Sequence, residues 1–230
     1  MILNDLYLAA SEFYKTCGQK LDKRHLESFG EDYESKLKYL KDLGLTEIGF
    51  GQGSSRVTYV LNSRKALKVQ YNDFSNQNET EYETLSELNS QILPKVYDKA
   101  DDYSWIEVEL VRPLKSIEEF EQLSGINYAD YYLITSRARN LNTLFEYIEF
   151  KISQFEKNDP LAIFYLLGGE YNEKDYENVK NRWVRYRDNF FLKELNKLLQ
   201  ETTLRVNEFY NIENLGKNSD GQLVLLDLGS

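Results

Sequence analysis

Four groups of residues have the types and spacing to do chemistry. Gly49-Phe50-Gly51-Gln52-Gly53-Ser54-Ser55-Arg56 sets small residues between two β-rich stretches. Backbone N–H groups of such a loop can close over phosphate oxygens without a side-chain clash. Lys68, in Ala66-Leu67-Lys68-Val69, alternates with apolar neighbours and so faces the opposite side of its strand from them. Further on, Glu79, Glu81, Glu83 and Glu87 offer carboxylates to hold that ammonium. Glu81 shares a helical face with Leu85 and Leu88, so it turns inward where that face packs on a sheet, while Glu79 and Glu83 read as solvated charge. Near the end Asn214 precedes Asp227 by 13 residues, with a short apolar strand between them. An amide oxygen and a carboxylate converging on one place suit a hard cation such as Mg²⁺.

Composition excludes several other chemistries. One His and one Cys in 230 residues rule out zinc fingers and an internal disulfide. Cys17 alone fits a reducing compartment. The formal charge is −10, from 28 Lys and Arg against 38 Asp and Glu, which argues against a nucleic-acid partner. MILNDLYLAASEFYK has no basic leader, and Asp5 and Glu12 interrupt its apolar residues, so it does not read as a signal peptide. No window approaches 18 uninterrupted apolar residues. The expectation is a folded cytoplasmic protein with no membrane contact.

The elements that must position these groups follow from periodicity. Leu3, Leu6, Tyr7, Ala10, Phe13 and Tyr14 form one helical stripe, and Tyr33, Leu37 and Leu40 a second that ends near Gly44. Residues 45–70 read as strand, glycine loop, strand, Asn-Ser turn, strand. A helix is predicted from about Gln77 to Gln91, with Pro94 ending it. Lys95–Tyr97 and Trp105–Val111 read as strands. Beyond Pro113, a candidate hinge, the spacing is helical, first through Ile134, Leu141, Leu144, Phe145 and Ile148 and later from Trp183 to Leu199. A turn at Asp220-Gly221 and a strand at Leu223–Leu226 deliver Asp227-Leu228-Gly229.

Glycine loop, strand lysine, acidic helix and late Asn with Asp-x-Gly stand in an order that resembles the protein-kinase-like fold, in particular small divergent kinase-like proteins of bacteriophages. The resemblance runs from about Ile48 to Gly229, firmest over 48–111 and 212–229. It implies an α+β, bilobal architecture: residues 1–44 as a helical extension, 45–113 as a small antiparallel sheet lobe with one crossing helix, and 114–230 as a reduced, mainly helical lobe. It implies ATP held by Gly49, Gly51, Gly53, Ser54 and Lys68, with Glu81 positioning the lysine, and Mg²⁺ held by Asn214 and Asp227. Host-cell cytoplasm is the implied location for a phage-encoded member.

Departures from the pattern direct the functional reading. Arg56 stands where the third glycine of G-x-G-x-x-G falls. In H-R-D-x-x-x-x-N the aspartate lies five residues before the asparagine, and here that position is Phe209, whose ring accepts no proton. Asn207 and Glu208 precede it, with Asn211 and Glu213 nearby. Only Ser230 follows Gly229, so no activation segment follows in this sequence. The first reading is a pseudokinase that binds ATP and Mg²⁺ and works through a protein partner. The alternatives are an unconventional phosphotransferase and a kinase-fold interaction protein without nucleotide. A basic run, Lys180, Arg182, Arg185, Arg187 and Lys193, reads as one amphipathic helix that either grips an acidic partner or RNA, or is solvated and paired internally.

Overall fold

The structure, a computed structural model, describes residues 21–48, 56–70, 76–137, 143–157, 173–202, 209 and 211–226. It is a mixed α+β chain with eight α-helices among the described residues. The chain divides into two compact units, with one boundary at Arg112/Pro113 and a return at Leu215/Gly216.

The first unit is built on five antiparallel strands: β1 (Thr46–Ile48), β2 (Arg56–Asn62), β3 (Lys65–Gln70), β4 (Val96–Lys99) and β5 (Trp105–Glu109), in the order β1-β2-β3-β5-β4. Strand alternation sends Val57, Tyr59, Leu67, Val69 and Trp105 to one face, where they are buried with Leu26 and Leu40. Those two leucines come from α1 (Lys23–Ser28) and α2 (Tyr33–Asp42). Both helices start on an aspartate cap: Asp22 accepts from the N–H of Arg24 and His25, and Asp32 from that of Ser35. Gly44, with φ of +73°, ends α2. Its N–H donates to the Lys41 carbonyl and that of Leu45 to the Leu40 carbonyl, which satisfies two otherwise orphaned carbonyls. Lys23 then ties α1 to the sheet through Asp98, at 2.6 Å, and Glu107.

The opposite face carries Arg56, Thr58, Val60, Ala66, Lys68, Gln70, Ile106 and Val108 by register. Across it lies α3 (Gln77–Glu87), which buries Asn78, Glu81 and Leu85. The helix stops earlier than the predicted Gln91, because Leu88 is already extended. Asn89 and Ser90 are poor helix formers, and the Ser90 hydroxyl accepts from the Ile92 N–H instead.

Gly216–Leu226 also belongs to the first unit, although it was expected within the 114–230 lobe. Leu26 and Leu40, from the part of the expected 1–44 extension that is described, likewise lie in this unit's core, and the stripe Leu3, Leu6, Tyr7, Ala10, Phe13 and Tyr14 lies outside the described residues. Three strands not in the main sheet, β6 (Arg112–Pro113), β7 (Leu215–Lys217) and β8 (Leu223–Leu225), form a second sheet in the order β6-β7-β8. The turn before β8 is organised by Asn218, whose side-chain oxygen accepts from Asp220 and Gln222, with Gly221 at φ of +81°.

The second unit is helical: α4 (Ile117–Ser124), α5 (Tyr128–Arg137), α6 (Leu144–Glu156), α7 (Glu173–Tyr186) and α8 (Phe190–Glu201). Phe120, Tyr131, Ile134, Ile148, Trp183, Tyr186, Leu195 and Phe209 fill its core. The helix expected from Trp183 to Leu199 is two helices, since Asn189 caps α8 by accepting from the Leu192 N–H at 3.1 Å. No helix among the described residues is long and apolar enough to cross a membrane.

Candidate functional site

Lys68, Arg56 and Glu81 meet on the α3 side of the first sheet. Lys68 projects there because Leu67 and Val69 occupy the other face, and its strand is central, flanked by β2 and β5. Thr58 lies opposite Lys68, and Arg56 opposite Gln70. Arg56 and Lys68 are therefore diagonal neighbours on one face, close enough for long side chains to meet a common group.

That group is Glu81. Lys68 Nζ donates to Glu81 Oε1 at 2.5 Å, and Arg56 Nη1 lies 2.5 Å from Glu81 Oε2. Each carboxylate oxygen thus has its own cation. All three side chains are largely withdrawn from water, the carboxylate most of all. Burial pushes the Glu81 carboxyl upward, but the charges of Lys68 and then Arg56, with their hydrogen bonds, outweigh it and leave the group below its ordinary range. Glu79, Glu83 and Glu87 are exposed on α3.

Asn78, one turn before Glu81, sets the helix at this height. Its amide donates to the Lys68 carbonyl at 3.3 Å and the Tyr103 carbonyl at 2.9 Å. Asn78, Glu81 and Leu85 make one inward stripe, so helix pitch and sheet register bring the carboxylate over the two cations. On the β4 side, Lys99 sits over the rings of Tyr103 and Tyr82, at 4.0 and 5.7 Å from their centroids.

The remaining expected residues are distributed as follows. Gly49, Gly51, Gly53 and Ser54 lie outside the described residues, as does Asp227. Asn214 is half-buried at the end of a 3₁₀ turn (Ile212–Asn214), its backbone N–H donating to the Asn211 carbonyl at 3.0 Å. Of the expected Mg²⁺ ligands, one is therefore described. No group of three or more His, Cys, Asp or Glu able to hold a metal occurs among the described residues. The cations of Lys68 and Arg56 fit the phosphates of a nucleotide in charge and donor type.

Phe209 is fully buried in the helical unit, and its backbone carbonyl accepts from the Tyr131 hydroxyl at 2.5 Å. In the same unit Asp130 accepts from Tyr186 at 2.8 Å and pairs with Arg182 at 2.7 Å. Burial raises the Asp130 carboxyl more than those partners lower it. The basic run is divided between α7 (Lys180, Arg182, Arg185), the turn after it (Arg187) and α8 (Lys193). Beyond the Arg182 pair, Arg187 meets Glu149 and Lys193 meets Asp188.

Two features of the site went unread in the sequence. Arg56 registers there only as a missing glycine, although its parity with Lys68 across the hairpin is the signal for a shared face. Asn78 is visible only as a polar residue at helical spacing from Glu81. No protein-family model, no curated protein and no solved structure matches the chain.

Proposed function

We propose that the chain is a kinase-like nucleotide-binding protein that grips the phosphates of ATP with Lys68 and acts by contacting a protein partner. The observation that carries this reading is the Lys68–Glu81 ion pair, made between a central strand and the helix packed across it. A lysine held by a buried carboxylate has its ammonium fixed before a phosphate arrives, which lowers the ordering cost of binding. The glycine-bearing segment 49–55 leads directly into β2, the strand that carries Arg56. The resemblance assigns Mg²⁺ to Asn214 and Asp227, and the ion when bound supplies charge neutralisation to the phosphates.

Phe209 supports a binding role over phosphoryl transfer. Its ring has no proton-transfer capacity, and its side chain is enclosed in the apolar core. Calorimetric titration with ATP, with and without Mg²⁺, tests the reading. Binding is expected in the wild type, weakened in Lys68→Ala and stripped of Mg²⁺ dependence in Asp227→Ala. No heat and no thermal stabilisation at millimolar nucleotide would replace this reading with that of an interaction protein that takes no nucleotide.

A further inference from the structure

Arg56 occupies the position where the glycine pattern breaks, and it reaches the same carboxylate as Lys68. A carboxylate held through one oxygen can still swing about its terminal bond. Held through both oxygens by cations on two different strands, it has a single orientation, and the lysine bonded to it has a fixed anchor. The guanidinium suits this task because it is planar, always charged and less strongly hydrated than an ammonium, so it enters a buried ion pair at lower cost. The geometry points to one role. We propose that Arg56 is a positioning residue for the phosphate grip, fixing Glu81 through Oε2 so that Lys68 is preorganised for a nucleoside di- or triphosphate.

This rests on the nucleotide reading of Lys68 and adds a claim that can fail separately. In place of a flexible third glycine, the chain has a residue that ties the start of β2 to α3. Three elements, β2, β3 and α3, then meet at one carboxylate, and a change in any of them is felt at the lysine. The charges that act on Glu81 are Lys68 from β3 and Arg56 from β2. On α3 itself Glu79 and Glu83 are turned to solvent, and from β4 Lys99 is engaged with the tyrosine rings.

The test is a double-mutant cycle on ATP affinity, using the full chain and the variants Arg56→Gln, Arg56→Lys, Glu81→Gln and the double Arg56→Gln/Glu81→Gln. Arg56→Gln is expected to weaken ATP roughly tenfold, the scale of one lost close ion pair held away from water, and Arg56→Lys to recover most of that loss. Because the arginine acts through Glu81, Arg56→Gln should cause no further loss in the Glu81→Gln background. Full additivity, or an unchanged affinity in Arg56→Gln, would overturn the proposal while leaving the nucleotide reading in place.

A second measurement keeps the two claims apart. The Glu81 carboxyl is followed by ¹³C NMR in glutamate-labelled protein, assigned with Glu81→Gln. Its midpoint should rise in Arg56→Gln and fall back in Arg56→Lys. If the wild type binds no ATP, the nucleotide reading is lost, and an unmoved Glu81 midpoint would then overturn the role of Arg56 as well. Should Arg56→Gln fail to fold, the same comparisons run on Arg56→Met, which also removes the charge: a raised midpoint with weaker ATP supports the role, and an unchanged midpoint or an unchanged affinity overturns it.

Discussion

At the scale of single residues, Glu81 is the group that holds both Lys68 and Arg56 on the α3 face of the first sheet. Taking it away leaves Arg56 and Lys68 facing each other across a half-buried surface without the carboxylate they share. Glu81→Ala is therefore expected to cost about 3–5 kcal/mol, the range for breaking a buried ion pair from one side. Urea unfolding reads this directly. The pH dependence follows from the direction of the shift. Glu81 is held below its ordinary value of 4.5, so the folded state takes up its proton less readily than the unfolded chain. Its contribution to stability is complete above that ordinary value and is lost as pH falls through the lower, folded value. Unfolding midpoints measured from pH 3 to 7 should show that acid-side loss in the wild type and a shallower loss in Glu81→Gln. Parallel curves for the two proteins would mean that the carboxylate is not held in this way.

At the scale of elements, close approach and capping set the places where the chain cannot be changed. Gly216 on β7 runs so near its neighbours that an added Cβ would collide with Val111 Cγ1 and lie 2.8 Å from the Arg112 carbonyl oxygen. Gly216→Ala is expected to destabilise by about 1–3 kcal/mol, as overpacking does, measured by thermal unfolding. Asn189→Ala removes the cap of α8 and the amide that donates to the Ser124 carbonyl at 2.7 Å, and should cost about 1–2 kcal/mol, with Asn189→Asp recovering the cap alone. Much of this architecture was legible in the sequence. The 2-residue period of Val57 and Tyr59, and of Leu67 and Val69, gave the sheet its core face, and Gly44 marked the end of α2. Glu81 could be singled out from its neighbours because helix pitch alone turns it inward with Leu85. The rest depended on tertiary pairing that no local pattern encodes. The β6-β7-β8 sheet joins segments about a hundred residues apart in sequence. The break at Asn189 is hidden by apolar spacing that continues on both sides of it. Arg56 acquires its meaning only once β2 and β3 are in register.

At the scale of the whole molecule, the proposed function is nucleotide binding without phosphoryl transfer. With Phe209 in place of an aspartate, no time-dependent transfer of labelled γ-phosphate to protein is expected, alone or with cell extract. Phe209→Asp should not create that activity. The side chain is fully buried, so an unpartnered carboxylate there would lower stability before it could act as a base. Transfer that disappears in Asp227→Ala would instead make the chain a phosphotransferase, with Glu208, Asn211 and Glu213 as the residues to test for a substitute role. The formal charge of −10 makes a basic protein surface the complementary class of partner, while several of the chain's own cations are engaged internally at Asp130, Glu149, Asp188 and Glu81. The central claim is that ATP phosphates meet Lys68. An ATP acyl-phosphate, which acylates a lysine amine beside the bound phosphates and releases the nucleotide, tests it most directly when the labelled residue is mapped by mass spectrometry. Acylation is expected at Lys68, suppressed by excess ATP. Labelling confined to surface lysines, or labelling of Lys68 that ATP does not reduce, would contradict it.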